Sequence, residues 1–350
     1  MGSSQTFVLL TLISLSLVVA ANLILRFAWG RFLLQVSPLA FATIFLLVSF
    51  LTPSSSWLYG VVTWLGALAI AAPALPQVRR QLARFLPIDP LHPLHTTALA
   101  LALALIFNHF SVYLALQNPS PQASDPVHFY DQLINFTLMV GLAVFGVGTF
   151  TRRPLASLWP RLGLRRPNRF QIFFAVGAGS AFQLVALIAY ALSHLLTPAL
   201  AQSVDQNSQA LLDPILSATF FFIPVGILFL ALSAAFGEEA LFRGALQPRL
   251  GLLVAALLFT AFHDQYGFSF DLALIFLLAL VLGWLRNSMN LWACIVAHFW
   301  YDCLASLGLD YAVVIGAGAA GLALCLLLVH SYHHRLFVPA GETAIRWHQV

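Results

Sequence analysis

Lysine is absent from this 350-residue chain, so all 16 of its basic residues are arginines. Charged residues make up only 8% of the sequence, against roughly 25% in an ordinary soluble domain. The three cysteines lie inside apolar stretches and have the spacing of neither a disulfide framework nor a zinc site. The net charge of +4 is spread over short loops, which argues against a nucleic-acid surface. These shortages exclude a soluble domain and a disulfide-stabilised scaffold.

Long apolar runs take the place of the missing charge. The chain is 61% hydrophobic with a mean hydropathy of +0.90, and a membrane-spanning helix needs about 20 apolar residues. We therefore expect an all-α, polytopic transmembrane helix bundle with about eleven (10–11) spans and with its catalytic helices in the C-terminal half. The runs fall near 7–25, 32–51, 57–75, 96–116, 130–150, 170–196, 214–236, 252–270, 271–285, 290–308 and 311–329.

The eighth and ninth runs are the least distinct of these. Asp264, Gln265 and Asp271 interrupt the boundary between them. We expect one of the two helices to be short, bent or re-entrant.

The arginines follow alternate apolar runs. They come after the first, third, fifth, seventh, ninth and eleventh runs, while the opposite loops carry aspartates and no arginine. Because basic loops stay on the cytoplasmic side, we expect a multi-pass integral protein of the plasma (inner) membrane. Its N-terminus should lie outside and its C-terminus should be cytoplasmic.

A basic, proline-containing segment at 151–169 is the predicted division of the chain. It separates an N-terminal helical extension of about five spans (1–169) from a C-terminal core (170–335) and a cytoplasmic tail (336–350). Glycine and alanine cluster at 176–181 and at 316–321, a composition typical of closely packed helices.

Two adjacent carboxylates and an arginine lie at the end of the seventh run: Glu238, Glu239 and Arg243. Ionisable groups at membrane depth are costly and indicate a functional site. On a helix, Glu239 and Arg243 are four residues apart and are expected to form an ion pair. Glu238 then points about 100° away and keeps its carboxylate available for chemistry. The alternative is that all three simply close a helix end at the interface.

Three further polar residues follow on later helices. His263 is expected about twelve residues into the eighth run, near mid-membrane, and His298 and Asp302 share one helix face. A buried carboxylate can act as a general base, and histidines can orient water or donate to an oxyanion. Each residue could instead be a hydrogen-bonded packing group, and Glu and His side chains could also hold zinc.

The ordered set Glu238-Glu239-x-x-x-Arg243, Phe259-x-x-x-His263 and His298-x-x-x-Asp302 resembles the three motifs of the CPBP (Abi, or CAAX protease-like) intramembrane glutamic protease family. The resemblance covers about residues 214–308. It implies an intramembrane endopeptidase that hydrolyses a peptide bond near the membrane with a glutamate-activated water and without a cofactor. It also implies roles for individual residues. Glu238 is the general base and His263 orients the water, His298 and Asp302 hold the oxyanion, and Glu239 and Arg243 form the supporting ion pair.

Asp302 departs from the eukaryotic CAAX-processing members, which have asparagine there. An ionised aspartate cannot donate a hydrogen bond to an oxyanion, so Asp302 is either protonated, an acceptor that orients His298, or part of a metal site.

Other functions stay open. The chain could be a non-catalytic immunity or membrane scaffold protein, a zinc-dependent metalloprotease variant, or a proton-coupled transporter. The expected partners are a membrane-presented peptide or protein, including a lipidated one, and the lipid bilayer. No nucleic-acid partner is expected.

Overall fold

The computed structural model describes residues 15–52, 54, 56–115, 129–217, 223–263 and 266–337. Within these ranges the chain is helical, and the β-structure is a single isolated bridge between Thr149 and Arg153. The predicted all-α class is therefore confirmed. Most of the predicted C-terminal tail, from 338 to 350, lies outside the described residues.

The N-terminal part contains seven α-helices and two short 3-10 turns. Their bounds are α1 Leu15–Ile24, α2 Ala28–Leu51, α3 Trp57–Ala71 continued by a turn at Ala72–Ala74, α4 Pro76–Leu82, α5 Pro93–Ala115, α6 Phe129–Gly146, a turn at Leu155–Ser157 and α7 Leu158–Leu162.

The C-terminal part contains seven α-helices and a π-helical segment. Their bounds are α8 Arg169–Leu196, α9 Pro198–Ser217, α10 Ile223–Glu239, the π-segment Ala240–Leu246, α11 Gln247–Ala261, α12 Phe270–Ser288, α13 Leu291–Ser306 and α14 Tyr311–Leu336. Asn168 caps the N-terminus of α8. Its side chain accepts from the Gln171 backbone N–H in a reciprocal capping box.

Each predicted apolar run contains a helix, but the count of spans differs. Seven helical stretches in the described chain are long and apolar enough to cross a membrane, and α1 and α6 are shorter apolar helices. One of the seven is the continuous stretch Pro224–Ala261, which the sequence divides into two runs. The protein is a multi-pass membrane protein whose described residues contain these seven candidate spans and two shorter apolar helices, and the count of about eleven spans stays a prediction.

The helix α9 was not expected. It occupies the region after the sixth run, where the side chains of Gln202, Ser203 and Asp205 interrupt the apolar pattern. Membrane spans are predicted from continuous apolar residues. The mixed polar and apolar sequence of α9 therefore did not predict a helix here.

Several arginine-bearing junctions meet at one end of the bundle. Arg26, after α1, donates a hydrogen bond to the Thr151 carbonyl in the segment that follows α6. Asn168, before α8, donates to the carbonyl of Arg335 near the end of α14 (2.7 Å). The basic segment 151–169 therefore contacts the ends of both the first and last helices. Which side of the membrane this end faces stays a prediction.

The helices α8 and α14 pack closely along their small residues. A Cβ atom placed on Gly321 would lie 2.5 Å from the carbonyl oxygen of Gly177, far inside van der Waals contact. The close packing predicted from the two glycine-rich clusters is confirmed. It makes α8 and α14 one wall of the bundle, and α13 lies against α8 on its inner side.

The largest apolar cluster joins both parts of the chain. Leu99 of α5 and Val147 after α6 lie in it beside Phe242, Phe259 and Leu291 of the C-terminal part. The polar groups predicted from the sequence are held at the edge of this cluster, on α10, the π-segment, α13 and the turn after α11.

Candidate active site

The two glutamates lie within a continuous helical stretch. The helix α10 ends at Glu239, but the chain continues without a break into the π-segment and then into α11. Glu239 precedes Arg249, at the arginine-rich end, by ten residues, and the π-segment Ala240–Leu246 lies between them. The two glutamates therefore do not end the helical stretch, and their depth in the membrane stays a prediction. π-helical turns often occur at functional sites.

Glu239 and Arg243 are in contact and almost completely buried. Their side chains are 0% and 1% exposed, and the Arg243 Nη1 atom lies 3.1 Å from Glu239 Oε1. The guanidinium carbon also lies 4.1 Å from the centroid of the Phe259 ring, a distance suited to a cation–π interaction. Arg243 Nη2 donates to the Ala279 carbonyl at 3.4 Å. The arginine is therefore held by three different groups.

His298 also contacts Glu239, and the sequence did not predict this contact. The His298 Nδ1 atom lies 2.9 Å from Glu239 Oε1, so this oxygen faces both the imidazole and the guanidinium. His298 lies on α13, and Asn290 caps the N-terminus of this helix. The Asn290 side chain accepts a hydrogen bond from the Ala293 N–H (3.0 Å). Because the pair joins two helices far apart in sequence, spacing along the chain carries no signal for it.

The other nitrogen of His298 faces Asp302. The distance from Nε2 to Asp302 Oδ2 is 3.4 Å, one helical turn along α13. The imidazole therefore lies between two carboxyl groups, Glu239 on one side and Asp302 on the other. This geometry favours the interpretation in which Asp302 orients His298.

Glu238 faces His263 across a wider gap. Glu238 Oε2 lies 3.9 Å from His263 Nε2, and the two side chains are 15% and 19% exposed. His263 Nδ1 lies 2.8 Å from the Phe259 carbonyl oxygen. Because a carbonyl only accepts, Nδ1 carries the proton of this contact, and in a neutral ring Nε2 is then an acceptor. Two acceptors thus face each other at a distance too long for a direct hydrogen bond.

His263 lies in a turn, whereas the sequence predicted a position inside a span. The helix α11 ends at Ala261, and the His263 N–H bonds to the Thr260 carbonyl at 3.0 Å. The expectation that one of the two indistinct runs is short is confirmed. A predicted span over 252–270 was wrong because Gly267, with φ +58°, forms a turn in that stretch.

Phe259 links the separate polar groups. Its ring centroid lies 4.5 Å from that of His263 and 6.1 Å from that of His298. Phe259 belongs to the motif Phe259-x-x-x-His263, but no role for it was predicted from the sequence. In the structure it separates the buried Glu239–Arg243 pair from the more accessible Glu238–His263 pair.

Histidine and carboxylate side chains such as those of the site can also bind a metal ion. Within the described residues, no group of three or more His, Cys, Asp or Glu side chains converges as it would around a metal ion. Asp264, the neighbour of His263, lies outside the described residues.

The fold and the site define a class: a multi-pass membrane protein with glutamate and histidine pairs inside its helix bundle. Residues 218–304 match the family described as type II CAAX prenyl endopeptidase Rce1-like. All the residues singled out above, from Glu238 to Asp302, lie in the matched segment. This match confirms the resemblance to CAAX protease-like proteins predicted from the three motifs, over residues 218–304.

A relative from Bacillus subtilis (strain 168), the uncharacterized protein YpbD, is 42% identical over 83 residues. The match covers 22% of this chain and 42% of YpbD, so the chain spans less than half the length of this relative. No solved structure matches the chain.

Proposed function

We propose that this protein is an intramembrane endopeptidase in which Glu238 activates a water molecule for attack on a peptide bond. The observation that carries the proposal is the facing arrangement of Glu238 and His263, 3.9 Å apart and partly exposed. The adjacent Glu239 is fully buried and bound to other groups. Two neighbouring glutamates thus have separate environments, which is how paired carboxyl groups acquire different roles.

The gap between Glu238 and His263 suits one water molecule. A water oxygen about 2.8 Å from each acceptor fits across a separation of 3.9 Å. Because the glutamate carboxylate and His263 Nε2 are both acceptors, this water donates both of its protons to the protein. Its lone pairs are then directed away from the two side chains, towards the space where a peptide carbonyl would enter.

The reaction follows general-base chemistry. The water oxygen forms a bond to the carbonyl carbon while one water proton passes to Glu238. The carbonyl oxygen becomes the oxyanion of a tetrahedral intermediate. The carbon–nitrogen bond then breaks, and the protonated Glu238 returns the proton to the leaving nitrogen. Glu238 is regenerated as a carboxylate, and the products are a new carboxyl terminus and a new amine.

His298 and Asp302 are proposed to stabilise the oxyanion. His298 Nε2–H, oriented by Asp302 Oδ2 at 3.4 Å, can donate to a developing negative charge, an interaction that often contributes most to catalysis of such reactions. Glu239 and Arg243 act as positioning residues, because Glu239 fixes the ring of His298 at Nδ1. The ion pair would thus support the reaction without touching the substrate.

The test compares membrane proteins in cells that carry the full chain or its variants. Glu238→Gln replaces the carboxylate with a neutral isostere and is expected to remove the new protein termini that the wild type generates. Asp310→Asn is the matched control, because Asp310 is exposed and its side chain caps no helix. Terminal-peptide mass spectrometry should find the wild-type termini in the control and not in Glu238→Gln. Identical termini in all three strains would refute the glutamate mechanism.

Two further arms separate the alternatives. A metal chelator that removes the termini while the protein stays folded would favour the zinc-dependent variant instead. A cellular phenotype of the gene that persists unchanged in Glu238→Gln would favour an immunity or scaffold role.

We propose a membrane-presented peptide or protein as the substrate, because the described polar groups lie inside a helix bundle. The family description adds a prenylated substrate as a specific hypothesis. Once a cleavage site is known, matched peptides with and without a lipid decide whether the lipid is required.

A further inference from the structure

A cavity lies between the N-terminal and C-terminal parts of the chain. Its volume is about 1060 Å³, at the upper end of the roughly 300–1,000 Å³ typical of small-molecule sites. None of Glu238, His263, His298 and Asp302 lines it. The lining residues come from α1, α2, the connection after α4, α5, α6, the segment between α6 and α7, α7, the π-segment, and α11 with the turn that follows it. The cavity is thus formed jointly by the N-terminal extension and the Rce1-like segment.

One side of the cavity is apolar. Leu34 and Ala98 line it from the N-terminal part, and Phe242, Leu258 and Phe262 line it from the C-terminal part. The Phe242 ring packs edge-on against that of Phe262, with centroids 5.6 Å apart. This wall is large enough to hold a hydrocarbon chain.

The other side carries an excess of positive charge. Arg152, Arg153, Arg161 and Arg249 line the cavity, and Asp89 is the one carboxylate among the described lining residues. The Asp89 Oδ1 atom already accepts a hydrogen bond from the Leu91 N–H, at 2.9 Å. The lining therefore carries four cationic side chains for one anionic side chain.

Two of these arginines donate to neutral groups among the described residues. Arg152 donates to Asn22 Oδ1 at 2.8 Å, and Arg249 donates to the carbonyl of Ala245 in its own helical stretch. Neither is paired with a carboxylate within the described part of the chain. Arg152, Arg153 and Arg249 line the same cavity, and burial, followed by the neighbouring charge of Arg153, lowers the pKa of Arg152.

His92 completes this polar side. Its Nδ1 atom is buried and has no hydrogen-bond partner in the described structure. Burial lowers the pKa of His92, and Arg152 lowers it further, while the opposing effect of Asp89 is smaller than that of Arg152. A neutral histidine beside several arginines adds a hydrogen-bonding group without adding charge.

We infer that this cavity binds a lipid with a phosphate-bearing, anionic headgroup. The headgroup would contact Arg152 and Arg249, and the hydrocarbon chain would lie along Leu34, Ala98 and Phe262. Arginine is well suited to phosphate because its planar fork donates two parallel hydrogen bonds. Charge complementarity selects an acidic lipid over a zwitterionic one, and the apolar wall selects a lipid over a free anion. The inference is independent of the proposed peptidase activity.

The experiment uses the full-length protein, purified in non-ionic detergent and stripped of bound lipid. Native mass spectrometry measures the binding of phosphatidylglycerol and of phosphatidylcholine with the same chains. We expect phosphatidylglycerol to bind at least roughly tenfold more tightly, a difference of about 1.4 kcal/mol. Equal binding of the two lipids to the wild-type protein would overturn the inference, and this comparison requires no variant.

Variants then test the two sides of the cavity separately. Arg249→Gln should reduce phosphatidylglycerol binding roughly tenfold, and Ala98→Phe should reduce it by filling the space for the chain while leaving the arginines in place. Arg166→Gln, at an exposed arginine outside the lining, is the matched control and should bind as the wild type does. Inorganic phosphate is a separate arm. If it displaces phosphatidylglycerol at millimolar concentration, the site binds a free anion and the lipid assignment is wrong.

Discussion

Removing Arg243 should destabilise the protein far more than removing an ordinary surface charge. An exposed ion pair contributes about 0–1 kcal/mol, whereas breaking a buried pair costs about 3–5 kcal/mol because a buried charge loses its partner. The side chains of Glu239 and Arg243 are 0% and 1% exposed, so the larger value applies. We expect Arg243→Gln to lower the free energy of unfolding by about 3–5 kcal/mol.

The reciprocal variant should lose a comparable free energy of unfolding, because each residue keeps other contacts when its partner is removed. In Glu239→Gln, Arg243 keeps the Phe259 ring at 4.1 Å and the Ala279 carbonyl at 3.4 Å. A desolvated cation–π interaction is worth up to about 2 kcal/mol. In Arg243→Gln, Glu239 likewise keeps His298 Nδ1 at 2.9 Å, so retained contacts offset part of the loss in both single variants.

A double-mutant cycle tests this reasoning. In Glu239→Gln/Arg243→Gln both buried charges are gone, so the double variant should lose less stability than the sum of the single losses, by about 2 kcal/mol or more. The measurement is a denaturant titration of the detergent-solubilised protein, followed by circular dichroism or intrinsic tryptophan fluorescence. An interaction energy below about 0.5 kcal/mol would show that the two residues act independently and would refute the buried-pair argument.

Two further predictions concern α13 and the α8–α14 wall. Asp302→Asn should retain cleavage, since an amide oxygen can still accept from His298, whereas Asp302→Leu should lower the rate at least roughly tenfold. Equal loss in both variants would show that the carboxyl group itself is required. Gly321→Ala should destabilise the protein by about 1–3 kcal/mol, because its Cβ would lie 2.5 Å from the carbonyl oxygen of Gly177. Gly316→Ala, with no atom within 4 Å of the added Cβ, is the control and should be neutral or slightly stabilising in thermal unfolding.

The sequence predicted what depends on neighbours along the chain. The positions of the apolar helices followed from hydrophobic runs, and the approach of Glu239 to Arg243 followed from four-residue spacing on a helix. The order of the three motifs led to the family. The hydrophobic runs and the four-residue spacing each depend on residues close together in the sequence. The three motifs are also short, and only their order spans a longer stretch of the chain.

Contacts between helices were not predictable in this way. The approach of His298 to Glu239, 59 positions apart, depends on how α13 packs against α10. The position of His263 in a turn depends on where α11 ends, and the polar interruptions near 264–267 gave only a partial signal for that end. The cavity between the two parts of the chain also depends on packing between helices, which hydropathy does not describe.

The π-segment Ala240–Leu246 changes the direction in which the side chains after it point. A π-turn closes its hydrogen bonds over five residues where an α-turn uses four, so it contains one more residue per bonded turn. Each residue turns an α-helix by about 100°, and a helical wheel drawn continuously through the segment would assign later side chains to the wrong face. Gln247, directly after it, donates to the Gly283 carbonyl at 2.8 Å. Deleting one residue of the segment would favour a regular α-helix but turn Gln247 away from α12, so the number of residues between Glu239 and Gln247 is itself part of the architecture.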